Sequence, residues 1–307
     1  MSRRGWVLFI AMGVIWGVPY LLIKVAVEEF SPAALVLART TLAAALLVPV
    51  AALNGQLRPL LPSWRPLLVY TVIEICIPWW LLGYAEQRLS SSLTGLLVAS
   101  VPLVGAVLVW GTGHERLDGR RVVGLLVGFA GVAALVGFDV DTGDLRSVAA
   151  IVVVAFCYAL GPLILARYLA GLPGLGVVAA SLAITALIYL PIGGSQWPTD
   201  PVSTQAWLAV IGLATVCTAL AFLLFFQLVA EVGPARATVI TYVNPAVALV
   251  LGVIVLDEAA TIATLVGFGL ILVGSVLATA RDRSVTSEPQ RAQDLDSSCL
   301  SSPMAEP

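Results

Sequence analysis

Apolar residues run through this chain in stretches long enough to cross a bilayer, separated by loops that carry Pro, Gly and charge. A crossing takes about 20 residues of helix. By that measure hydropathy predicts ten spans: Trp6 to Val27, Ala33 to Leu53, Leu67 to Tyr84, Leu93 to Trp110, Val122 to Phe138, Val148 to Leu169, Val177 to Ile192, Ala206 to Leu228, Ala237 to Leu256 and Ala260 to Ala280. The pattern therefore predicts an all-α membrane protein.

The spans are not ten independent segments. The run from Ala235 to Thr279 overlays the run from Ser92 to Val136 at a constant shift of 143, placing Pro245 on Pro102, Glu258 on Glu115, Gly267 on Gly124 and Gly274 on Gly131. Apolar helices match easily by chance, but a Pro, an acid and two Gly at fixed offsets do not. Earlier helices align at a shift of 142, with Leu21 on Leu163, Val36 on Val178, Ala44 on Ala186 and Pro49 on Pro191. The chain is thus a duplication of a five-helix unit, residues 6–138 and 148–280, followed by a polar, Ser-rich segment 281–307 expected to be a disordered cytoplasmic tail. Five is odd, so the second unit enters the membrane from the opposite side. Inverted repeats favour alternating-access transport over catalysis.

Composition agrees. Of 307 residues 60% are hydrophobic and 11% charged, with mean hydropathy +1.01, far less charge than coats a soluble domain. Net charge is −2, with no basic field for nucleic acid. Arg residues concentrate in alternate loops, most densely from His114 to Arg121, so the positive-inside rule places both termini in the cytoplasm of a multi-pass inner-membrane protein. The first span follows two Arg and continues to Val27 without a small-residue cleavage site, so it reads as a retained helix. Cys76, Cys157 and Cys217 sit in apolar runs and Cys299 in the tail, without metal or disulfide spacing.

The candidate chemistry begins with Glu74, near the middle of the third span, where a charged carboxylate is costly. Burial favours its neutral form, which makes it a candidate proton carrier or cargo contact; the alternative is a structural pair with Arg39, which lies deep in the second span. Arg39 in turn reads as that charge partner or as the site for a substrate carboxylate. Lys24 is a gate candidate, against the plainer reading that it reaches the headgroups and pairs with Glu28. Trp16, Tyr20, Trp80, Tyr84, Tyr158 and Tyr242, with Asn244, are candidates to line a substrate cavity, although rings near helix ends also suit the interfacial belt. Trp79 is a weaker candidate of the same kind. Pro102 and Pro245 predict matched helix breaks. Glu115 and Glu258 are expected to complement the N-terminus of the helix that follows each. The Gly faces of the fifth and tenth spans suit packing within the fold or a homodimer. No cofactor is expected: the chain has no Gly-rich loop ending in Lys-Ser or Lys-Thr, no G-x-S-x-G and no H-E-x-x-H.

Trp16-Gly17, Lys24, Ser31-Pro32, Arg39 and Tyr84-Ala85, followed in the second half by Tyr242-x-Asn244-Pro245 and Glu258, resemble the EamA family of the drug/metabolite transporter superfamily. Asn244 stands where many members carry an acid before the proline. The resemblance spans Trp6 to Ala280 and implies a secondary carrier, usually an exporter, of small metabolites such as amino acids. Drug-like cations and nucleotide sugars are the alternative cargoes, and a non-transporting scaffold or receptor subunit is the alternative from another class.

Overall fold

The computed structural model describes residues 1–111, 118–139 and 144–279. His114, Glu115 and the expected tail lie outside them. All regular structure among the described residues is helical. Among the described residues, nine helices have the length and composition to cross a membrane: α1 Arg3–Ala26, α2 Pro32–Leu53, α3 Arg58–Glu86, α4 Ser91–Gly111, α5 Gly119–Gly137, α6 Leu145–Tyr168, α7 Gly174–Ser195, α8 Thr204–Val232 and α10 Ile262–Thr279; α9, Val239–Val255, is a shorter apolar helix between the last two.

Local chemistry sets the ends. Ser2, Ser31, Ser90 and Ser203 each accept a hydrogen bond from the backbone N–H three residues on, capping α1, α2, α4 and α8. Pro32 follows Ser31 at a position where a missing N–H costs nothing. Gly233, at φ +82, lets the chain leave α8 in a conformation that L side chains rarely adopt. Helix α3 starts well before the predicted Leu67, because Arg58–Ser63 forms a 3₁₀ turn that carries Pro59 and Pro62 into the helix.

Packing follows the duplication. Helix α2 packs on its counterpart α7, α4 on α9 and α5 on α10, while α3–α6 and α8–α1 are equivalent pairs with the repeats exchanged. This is the pattern of a two-fold axis relating two inverted halves. The glycine faces are used inside it: a Cβ at Gly274 would fall on the backbone of Gly128 and Gly124, and one at Gly131 on that of Gly267 and Ile271. Helices α5 and α10 therefore meet backbone to backbone, and the glycine faces serve packing within the fold.

Both prolines sit beside interruptions. Helix α4 breaks at Ala99–Ser100, just before Pro102, and α9 opens with a 3₁₀ turn, Thr238–Tyr242, before Pro245. The repeats meet the same need with different groups. Ser100 donates to the carbonyl of Leu97 (2.7 Å). At the matched carbonyl, that of Ile240, the Asn244 amide donates (2.9 Å) and reaches Gly13 O as well (3.1 Å), once it is oriented to satisfy both its groups.

On the face opposite the N-terminus, two sequence-based readings are corrected. Lys24 pairs neither with Glu28 nor with headgroups; its Nζ donates to the carbonyls of Glu86 (2.7 Å) and Leu89 (2.9 Å), where α3 ends. Glu258 caps α4 rather than α10, accepting from the N–H groups of Ser91 (2.7 Å) and Ser92 (2.9 Å). The reason is antiparallel packing, which sets the end of α9 beside the start of α4.

Candidate functional site

Arg39 lies seven residues into α2, about 10 Å from that helix's first residue at 1.5 Å per residue. It is only 7% exposed. Its Nε donates to Thr218 Oγ1 (3.0 Å) and its guanidinium lies 3.6 Å from the centroid of the Trp79 ring. Four helices thus converge, since Tyr158 of α6 lies within electrostatic reach of both Arg39 and Glu74.

Two π-helical turns place these groups. Val72–Cys76 in α3 carries Glu74, and Thr215–Leu220 in α8 carries Thr218. Val72 and Thr215 are related by the shift of 143, so the widened turn belongs to both repeats. Such turns rotate the residues beyond them relative to a regular α-helix and frequently mark functional sites. Carried across the repeat, Glu74 falls on Cys217, which also lies within electrostatic reach of Arg39. The site is therefore asymmetric inside a symmetric frame, with an acid on one side and a thiol and hydroxyl on the other.

Arg39 and Glu74 do not form the ion pair the sequence suggested. Arg39 takes Thr218 and the Trp79 face, whereas Glu74 points at Gly161 of α6, where a Cβ would collide with its carboxylate. Glu74 Oε2 is buried without a hydrogen-bond partner. A guanidinium and a carboxyl group inside the bilayer thus stay available to something other than each other.

The remaining candidates separate into groups. Tyr20 is buried and lies within electrostatic reach of both Tyr158 and Glu86, linking the centre to the face where Lys24 sits. Trp16 packs on Phe222 and Phe225 of α8 (centroids 5.8 and 4.9 Å). Trp80 stacks on Tyr84 one turn later (5.7 Å, 15°). Tyr242 meets Thr279 of α10 (3.3 Å), and Asn244 is engaged with backbone carbonyls. Sequence reasoning missed Thr218 and Glu86 and underweighted Trp79. The repeat held a signal for Thr218, the neighbour of Glu74's counterpart; Glu86 fell just beyond the predicted end of its span.

A cleft of ≈ 290 Å³ opens between α4, α6 and α10, lined by Pro102, Gly105, Trp110, Ala159 and Thr279 among others. It is bordered by Pro102, just past the α4 break, and by Ala159, the residue after Tyr158.

The sequence pattern of the EamA-like transporter family matches residues 3–137 and 145–280. The chain is similar to the "Uncharacterized inner membrane transporter YedA" of Escherichia coli, 29% identical over 88% of each chain. It is 26% identical to the "Uncharacterized transporter YvbV" of Bacillus subtilis, over 88% of this chain and 90% of that protein. A "Probable terminal-alkyne amino-acid exporter" of Streptantibioticus cattleyicolor is 26% identical over 92% of this chain and 95% of its own length. One crystal structure superposes with a TM-score of 0.65 at 21% identity, covering 91% of this chain and 98% of its own, which shows a shared fold.

Proposed function

Because the chain belongs to the EamA-like transporter family and is an integral, multi-pass membrane transporter rather than an enzyme, we propose that it exports small zwitterionic metabolites, amino acids foremost, by alternating access. The observation that carries this reading is the separation of Arg39 from Glu74. The guanidinium, steadied from one side by Thr218 and Trp79, offers its terminal N–H groups to a carboxylate in a two-point contact. Glu74 receives the cargo's ammonium, and Tyr158 lies within electrostatic reach of both groups. A cargo bearing both charges neutralises both groups at once, which lets the loaded carrier change conformation without an exposed charge in hydrocarbon.

When cargo leaves, Glu74 takes a proton in its place, so proton entry and cargo export share one carboxylate. The name of the Streptantibioticus relative is consistent with an amino-acid cargo. The Arg distribution supports cytoplasmic termini in the inner membrane.

The test uses proteoliposomes loaded with a mixed amino-acid pool, with an imposed pH gradient and mass-spectrometric readout against protein-free liposomes. Gradient-dependent loss of a subset of amino acids is expected. Retention of the whole pool by correctly folded protein would overturn the reading.

A further inference from the structure

Where α3 ends and α4 begins, a second group of buried polar atoms has no place in the central site. Glu86 is 0% exposed, and neither of its carboxylate oxygens has a hydrogen-bond partner. Around the same junction the hydroxyls of Ser91, Ser92 and Thr94 are also buried and unpartnered, as is that of Ser147 in the first turn of α6. Ser91 and Thr94 share a face of α4, three residues apart. The Arg88–Asp144 ion pair (3.7 Å) joins the end of α3 to the start of α6 and so brings Ser147 to this junction.

Two charged side chains approach Glu86 without a side-chain hydrogen bond to it. Lys24 and Glu258 both lie within its electrostatic reach. Glu258 accepts two amide hydrogen bonds, while the Lys24 ammonium is directed at two carbonyls rather than at either carboxylate. Arg88 and Asp144 cancel each other. The Glu86 carboxyl is thus left with no ammonium in direct contact.

Buried, unpartnered hydroxyl oxygens near a carboxyl that no ammonium contacts are the ligand chemistry of a small hard cation. We propose that Glu86, with the hydroxyls of Ser91, Thr94 and Ser147, binds a monovalent cation, Na⁺, at the face opposite the N-terminus. A single carboxylate with neutral hydroxyls suits a monovalent rather than a divalent ion, and a larger organic cation does not suit a carboxylate that is fully enclosed. The ion ties α3 to α4 and α6 beside the Glu258 cap, so its binding stabilises this junction as it stands.

The test needs no knowledge of the cargo. Binding of ²²Na⁺ to the purified full-length protein is measured at fixed chloride, with unlabelled Na⁺ and choline as competitors, alongside thermal unfolding in NaCl and in choline chloride. Wild type is expected to bind ²²Na⁺ saturably and to unfold at a higher temperature in NaCl. Glu86→Gln is expected to lose both effects while remaining monodisperse, and Thr94→Ala to weaken them. Failure of wild type to bind ²²Na⁺, equal binding by Glu86→Gln, or stabilisation by acid alone would overturn the proposal, the last assigning Glu86 a proton. None of these results depends on whether amino acids are the cargo.

Discussion

The Arg39 guanidinium sits 3.6 Å from the centre of the Trp79 ring, and the helix that supplies this ring also supplies Glu74, five residues earlier. The regular α-helical spacing of α3 gives way to a π turn at Val72–Cys76, so one helix presents an aromatic face to the cation and keeps its acid away from it. A cation–π contact in a desolvated setting is worth about 2 kcal/mol. It holds Arg39 in place without neutralising it.

Replacing Arg39 separates charge from shape. Arg39→Lys keeps the charge but loses the planar fork and the stacking, so KM for a carboxylate-bearing cargo is expected to rise while kcat changes less. Arg39→Gln removes a charge-assisted contact worth about 1.5–3 kcal/mol, which corresponds to a loss of roughly 10- to 100-fold in kcat/KM. Concentration-dependent flux in proteoliposomes measures both.

Gly161 gives Glu74 its room. A Cβ there would overlap the Glu74 carboxylate, so Gly161→Ala is expected to displace the acid and suppress transport while costing about 1–3 kcal/mol of stability from overpacking. Pairing it with Glu74→Ala, which removes the clash, should restore the melting temperature but not the flux.

Gly274 is structural. Any side chain there meets the backbone of Gly128 and Gly124, which cannot give way as a flexible side chain would. Gly274→Val is therefore expected to separate α5 from α10 and abolish recovery of folded protein, measured as the monodisperse fraction in size-exclusion chromatography. The lipid-facing Leu265→Val, on a side chain 56% exposed, should be neutral.

Glu29 supplies a pH-dependent contribution outside the membrane. The Ser203 hydroxyl and backbone N–H (2.7 Å) both donate to its carboxylate and hold it below the usual carboxylate range. Because the folded value is depressed, the contribution is fully present above the unfolded value of about 4.3 and disappears as pH falls through the folded value. Wild type should melt above Glu29→Gln at pH 7, and the difference should close below about pH 4.

Much of this architecture was legible in the sequence, because hydropathy and self-comparison need only the chain itself. The shift that carries Pro102 onto Pro245 also predicted where α4 and α9 break. The polar centre was harder to read. Whether Arg39 meets Glu74 depends on the rotation of α3 about its axis, and a π turn of mostly apolar residues resets that rotation without a distinctive signature. Lys24 was misread because its acceptors are backbone carbonyls, which any residue supplies and no pattern marks. Glu86 was missed because it sits at the helix end, where apolar signal fades and a buried acid looks like an interfacial one.

Recognition of both charges of one cargo is tested most directly by competition in proteoliposomes. Transport of a radiolabelled amino acid would be challenged with the same compound, its carboxamide and its N-acetyl derivative, for wild type, Arg39→Gln and Glu74→Gln. Wild type should be inhibited by the zwitterion alone. Arg39→Gln should lose discrimination against the carboxamide, and Glu74→Gln against the N-acetyl compound. If both variants transport with unchanged KM and the selectivity of wild type, Arg39 and Glu74 do not contact the cargo and the site lies elsewhere.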